Sequence, residues 1–151
     1  MNRISFRRAA APVLALALAV SLTLPASAFF WNKKTDPPYV ADFSKNGLIG
    51  SAIAFTQEDF AVKPDSKTAL NGITIDILPD PGAGTLCIGG QPVETGSFVD
   101  ATALAGLRFQ SVKNPTVTTA TLVFTASFPS GTAASPTTAT IYLLAQENNP
   151  P

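Results

Sequence analysis

The sequence predicts an all-β fold, a Greek-key antiparallel β-sandwich behind a signal peptide, on three observations. Short runs of alternating apolar and polar residues recur at roughly the 8- to 12-residue spacing of sandwich strands. Clusters of Gly, Pro, Asn and Asp separate the runs, as turns require. After residue 28 no segment sustains an apolar repeat of period 3.6, so nothing there asks to be a long helix.

The leader comes first. Arg3, Arg7 and Arg8 make a basic start, Val13 to Leu24 is an uncharged apolar run, and Ala26-Ser27-Ala28 supplies the small-x-small site that a signal peptidase cuts. The run has 12 residues, against about 20 for a helix that crosses a bilayer, which favours a cleaved leader over a retained anchor. Arg7-Arg8 reads as an ordinary basic pair rather than a twin-arginine signal, because Ala9-Ala10-Ala11 follows where bulky apolar residues are usual. Cleavage after Ala28 leaves 123 of the 151 residues, enough for one domain with a modest core. The expected organisation is a signal peptide over 1–28, a flexible aromatic and Pro-rich arm over 29–45, a sandwich over 46–146, and a linker or tail over 147–151.

The segment from Phe29 to Pro38 has no period, and Pro37-Pro38 blocks regular structure. Its consecutive aromatics, Phe29, Phe30 and Trp31, either dock on a partner or flank the cleavage site and pack on the domain. Strand-like sequence begins with IAFTQEDF at 53–60. The clearest alternation is at 73–77, where Ile73, Ile75 and Ile77 are expected to face the core and Thr74 and Asp76 the solvent. Pro79, Asp80, Pro81, Gly82 and Gly84 then break the chain before a strand over Thr85–Ile88, and Gly89-Gly90 supplies the positive φ of a tight hairpin. A short helical turn is expected at Asp100 to Leu104, with Asp100 as its cap. Leu107, Phe109 and Ser111 mark the next strand. Over 118–128, Ala120, Leu122, Phe124, Ala126 and Phe128 share one face, while Thr119, Thr121, Val123, Thr125 and Ser127 share the other. Ala139, Ile141, Leu143 and Ala145 repeat the pattern in a last strand.

Charge and cysteine content narrow the function classes. Three of the ten basic residues leave with the leader and all ten acidic residues stay, so the mature chain carries a net charge of about −3. With no basic cluster beyond Lys33-Lys34, nucleic acid is not an expected partner, because phosphates demand concentrated Lys and Arg. Cys87 is the single cysteine, so no intrachain disulfide can form and the apolar core must suffice. Between Leu86 and Ile88 it is expected to act as a small buried hydrophobe. A lipid-modified cysteine would need to stand at the first mature position, where Phe29 is.

An enzyme is not expected. The chain has no histidine, which removes the usual general base and the commonest metal ligand. Glu58-Asp59 is the one adjacent acidic pair, and neighbours along a strand point to opposite faces and cannot flank one bond. No Gly-x-Ser-x-Gly elbow is present.

The succession FTQEDF, LNGITIDILPDPGAGTLCIGGQPVETGSFV, ALAGLRF and a Thr-rich strand ending in Phe resembles the cadherin-like repeat family related to the chondroitin sulfate proteoglycan repeats. The elements that carry the resemblance are Ile75 to Leu78, Pro79, Gly84, Leu86, Gly90, Val93, Gly96, Leu104, Leu107 and Phe109, within about residues 48–128. The resemblance implies a Greek-key sandwich used for adhesion or as a spacer, in tandem, in large bacterial surface proteins. Its partners would be adjacent domains or other surface proteins. A single copy departs from that pattern, and Gln146 to Pro151 has the composition of an interdomain linker, so the chain is read as the first domain of a longer protein or as derived from one.

Calcium rigidifies many cadherin-type junctions and is the cofactor to weigh. It needs six to eight oxygens, whereas Asp76, Asp80 and Asp100 are dispersed and no Asp-x-Asp run exists, so no cofactor or metal site is expected. Leu78-Pro79-Asp80-Pro81-Gly82 looks like a cell-wall sorting signal but has Pro81 where Thr belongs, and reads as a turn. The competing reading is a self-contained secreted binding protein. A glycan binder would stack sugars on Tyr39 or Tyr142, with most Phe residues facing inward, and an assembly subunit would use the arm at Phe29 to Trp31.

Overall fold

In the computed structural model, residues 36–147 apart from Ser66 are described. The leader over 1–28, the aromatics Phe29, Phe30 and Trp31, and the end of the tail lie outside these residues. Every second position of the apolar runs is occupied by a residue that favours extended backbone, and twelve strands form. They are β1 (Tyr39–Val40), β2 (Phe43–Leu48), β3 (Ala52–Ala54), β4 (Val62–Lys63), β5 (Gly72–Ile77), β6 (Gly84–Ile88), β7 (Gln91–Pro92), β8 (Phe98–Asp100), β9 (Leu107–Ser111), β10 (Thr119–Phe128), β11 (Gly131–Thr132) and β12 (Thr137–Leu144). Two 3-10 turns, Gln57–Phe60 and Leu104–Gly106, are the helical elements among the described residues.

The strands form a sandwich-like arrangement. A six-stranded sheet runs β2-β12-β10-β5-β8, with β11 also paired to β10, and a four-stranded sheet runs β3-β9-β6-β7. A small third sheet joins β1 to β4. The chain crosses between the main sheets at β2–β3, where Gly50 takes a positive φ, and again between β5 and β6, where Asp80 Oδ1 accepts from the Gly82 amide at 2.7 Å. Gly89 and Gly90 both have positive φ, as a two-residue primed hairpin turn needs, and pair Ile88 with Gln91.

Alternation explains the core. On β10, Ala120, Leu122, Phe124, Ala126 and Phe128 are buried. They meet Ile73 and Ile75 of β5, Ile141 and Leu143 of β12, and Ile53, Leu86, Leu107 and Phe109 of the facing sheet. Phe43, Phe55, Phe60 and Phe124 form an aromatic cluster with ring centroids 5.5–6.3 Å apart. Among the described residues two polar side chains are buried in the interior, and both are satisfied. Thr137 Oγ1 donates to the Val40 carbonyl at 2.7 Å, and Ser111 Oγ donates to the Val112 carbonyl at 3.2 Å.

Six sequence expectations need correction. The arm drawn over 29–45 is too long, because Tyr39–Val40 and Phe43–Lys45 are strand residues, held by β4 and β12. The sheets are not wholly antiparallel, since β2 pairs with β12 in parallel from Phe43↔Ala139 to Leu48↔Leu144. Ile77 is 58% exposed, whereas Ile73 and Ile75 are fully buried. A bulge between β5 and β10 sets Ile75 opposite Phe124 but Ile77 opposite Val123, which turns Ile77 to the outside. Glu58 and Asp59 lie in a 3-10 turn rather than along a strand. Cys87 is half-buried on the outward side of β6, alternating with buried Leu86, and is not a core residue. The helical turn expected at Asp100 to Leu104 forms instead at Leu104–Gly106, and its N-cap is Ala103 rather than Asp100, whose Oδ1 accepts from the Thr102 amide at 2.8 Å in the turn that leads to it.

Phe124→Ala removes the ring shared by the aromatic cluster and both sheets and is expected to cost about 3–5 kcal/mol. Thr121→Ala, outward on the same strand, is expected to change stability by less than about 0.5 kcal/mol. Urea denaturation of the two variants checks the contrast.

Candidate interaction surface

The outward positions of the six-stranded sheet follow from the same alternation. They are Ser44, Asn46 and Leu48 on β2; Thr138, Thr140, Tyr142 and Leu144 on β12; Thr119, Thr121, Val123, Thr125 and Ser127 on β10; Thr74, Asp76 and, after the bulge, Ile77 on β5; and Phe98 on β8. Cross-strand neighbours form hydroxyl rows. Ser44, Thr140 and Thr121 lie side by side, as do Thr74 and Thr125. Leu48 sits beside Leu144, and Tyr142 beside Thr119 and Asn46.

This face is nearly free of charge. The described residues include ten carboxylates and five cations, yet these outward positions hold no cation. Asp76 accepts a hydrogen bond from Thr125 Oγ1 at 2.7 Å, and Asp100 closes the edge strand. The exposed apolar groups Tyr142, Leu48, Leu144, Ile77 and Phe98 share the face with six threonines. Phe98 is held by a glycine. A side chain at Gly72 would collide with the Phe98 ring and the Val99 carbonyl, so only glycine lets the ring cover β5.

The candidate acids do not converge. Asp42, Asp65, Asp80 and Asp100 each accept from a backbone amide of a turn or strand end. Hydrogen bonds from the Thr102 hydroxyl and amide hold the Asp100 carboxyl below its ordinary value. Among the described residues no group of three or more His, Cys, Asp or Glu side chains is placed to share a metal ion.

Asp59 has a structural partner. Its Oδ2 accepts from Lys45 Nζ at 2.5 Å and from the Thr56 amide at 2.7 Å, and Lys45 lies 5.6 Å from the centre of the Phe55 ring. Burial pushes the Asp59 carboxyl up, but the hydrogen bonds from Lys45 and Thr56 and the Lys45 charge outweigh it and hold the group below 3.8. The pair ties β2 to the Gln57–Phe60 turn.

A cavity of about 420 Å³ beside that turn is lined by Gln57, Phe60, Val62, Thr68, Leu70, Leu104 and their neighbours, without a titratable side chain. Tyr39 is exposed on β1, in the small β1–β4 sheet, whereas Tyr142 is exposed on β12 of the six-stranded sheet. Phe98 is the aromatic that alternation failed to assign, because a three-residue strand gives too short a pattern. The adjacent pair Leu143-Leu144 did carry a signal, since one of two neighbours in a strand must face out.

Among the described residues no helix is long and apolar enough to cross a membrane. No family model, curated protein or solved structure matches the chain significantly.

Asp59 sets a pH dependence of stability. Its folded carboxyl binds a proton less tightly than the unfolded one, so its contribution is complete above 3.8 and is lost as pH falls through the lower folded value. The urea midpoint is expected to fall as the pH is lowered below about 5, and Asp59→Asn to lose part of that fall while starting from a lower midpoint.

Proposed function

We propose that this chain is a non-catalytic, secreted or surface-exposed Greek-key β-sandwich module of the cadherin-like type, serving as a spacer or in adhesion within a multidomain bacterial surface protein. The observation that carries the reading is the parallel pairing of β2 with β12. Both strands run in the same direction, so the chain arrives at the Phe43 end of the sandwich and departs at the Leu144 end, about 17 Å further along by strand rise alone. Modules joined in this way extend a stalk rather than fold it back.

Strand order supports the Greek-key reading. If β2, β3, β5, β6, β9, β10 and β12 are taken as seven strands A to G, then β3-β9-β6 has the order B-E-D and β12-β10-β5 the order G-F-C of an immunoglobulin-type sandwich. Such an order speaks to fold, and function rests on the poles and the outer face. That face suits contact with a neutral surface protein, since it offers hydroxyls and apolar groups with little charge to desolvate.

One observation favours a second reading, a self-contained glycan binder. Tyr142 and Phe98 share the outer face with threonine hydroxyls between them. Aromatic faces with polar neighbours suit sugar rings.

An immunoblot of medium, envelope and cytosol with an antibody against residues 40–145 tests the first reading. A band much larger than one domain, in the envelope, is expected. A released single-domain band would overturn the spacer role and favour the glycan binder, and Tyr142→Ala should then weaken binding to immobilised glycans.

A further inference from the structure

We infer that the outer edge of β3 pairs with the same edge of a second copy of this chain, joining two four-stranded sheets across a two-fold axis. The inference goes beyond the spacer reading and does not depend on it. β3 ends its sheet, with β9 on its inner side. The Phe55 amide donates to the Leu107 carbonyl at 3.1 Å and the Ser111 amide to the Ser51 carbonyl at 3.0 Å, so residues 51, 53 and 55 turn their backbone groups toward β9. Ala52 and Ala54 are one residue out of phase and turn theirs away. Two amides and two carbonyls therefore face outward, beside two exposed methyl side chains.

Edge strands are ordinarily protected from pairing by charge, proline or extreme shortness. Among the described residues the other sheet ends carry such a guard. β7 has two residues and Pro92 lacks an amide, while β1 and β4 have two residues each and Pro64 follows β4. β8 ends in Asp100, and β2 turns Lys45 inward to Asp59. β3 reads Ala-Ile-Ala, and its extended pairing with β9 continues to Ser51 and Phe55. It has neither charge nor proline.

The edge is complementary to itself. With antiparallel strands and the axis at Ile53, Ala52 of one copy lies opposite Ala54 of the other, and the two such pairs exchange four backbone bonds. Neighbouring bonds select this register. The Gly50 amide donates to Ser111 Oγ at 3.3 Å and the Thr56 amide to Asp59 Oδ2 at 2.7 Å, so moving the axis one residue either way would set an occupied amide against a free carbonyl. Ile53, buried on the inner side, then meets Ile53 of the second copy at the rim of the core.

Charge agrees at both ends of the interface. Gly50, before β3, lies against the Lys113 backbone, and the turn after β3 carries Glu58. Both charged side chains are exposed, and the ion pair among the described residues is Lys45–Asp59, so neither is engaged. Antiparallel pairing sets Gly50 opposite Thr56 of the second copy, which brings Lys113 to the end that holds Glu58 of the second copy. Two opposite-charge contacts result.

Sedimentation velocity tests the pairing on the chain exported under its own leader and purified with a reductant that keeps Cys87 free. An interface of this size belongs to the weak class, so dimer is expected to accumulate between about 10 μM and about 1 mM. Ala54→Pro removes an outward amide without touching a bond to β9, and Ala52→Lys guards the edge with charge. Symmetry applies each change twice, so each variant is expected to weaken the dimer at least about tenfold while its urea midpoint stays near that of the parent chain. Glu58→Lys or Lys113→Glu alone is expected to weaken it as well, and the two together to restore it. A chain that stays monomeric over that range, a dimer that survives both edge variants, or one that the double charge reversal fails to restore would overturn the pairing.

Discussion

Burial of two apolar faces against each other is the constraint on which this domain depends. Small domains with little apolar surface are often stapled by disulfides, but Cys87 is the single cysteine of this chain, so no intrachain disulfide forms and the inter-sheet contact has to hold the fold alone. β10 is its centre. Five inward side chains, from Ala120 to Phe128, lie between β12 and β5 and against Leu86 and Phe109 of the opposite sheet. With β10 fixed in this way, the registers of its two neighbours are fixed too, because a one-residue slip would exchange threonines for the core.

The outer face is shaped by what the core leaves over. Inward positions consumed most of the phenylalanines, and the bulge opposite Val123 released Ile77 to the outside. Gly72 gave Phe98 a place to lie. The result is a broad surface of hydroxyls and scattered apolar groups in which Asp76 is bonded to Thr125, while Asp42, Asp65, Asp80 and Asp100 accept from backbone amides and Asp59 pairs with Lys45. Little charge has to be desolvated when such a face is covered, and its threonines can donate or accept.

Chain direction bears on the proposed role. Because β2 lies parallel to β12, the chain enters the first of these strands and leaves the last at opposite ends of the six-residue ladder. An antiparallel pairing of the same two strands would bring both ends to one pole. The choice between them depends on β1 and its bond network, where Thr137 and Thr138 hold Val40 and Asp42 and so deliver the chain to the start of β12 rather than its end.

The sequence by itself determined the strands β5, β6, β9, β10 and β12 and most of their inward faces. Alternation in β5, β9, β10 and β12 and the Gly89-Gly90 hairpin are local patterns, and each is set by side chains two residues apart or by backbone that only glycine adopts readily. It determined as well the absence of histidine and of an intrachain disulfide. The tertiary structure alone decided the parallel neighbour of β12, the outward turn of Ile77, the seat of Phe98 on Gly72, and the pairing of Lys45 with Asp59 fourteen residues away. The physical reason is shared by all four. Each depends on which strand or turn lies alongside, and that pairing is made between residues far apart in the chain, where no local period records it.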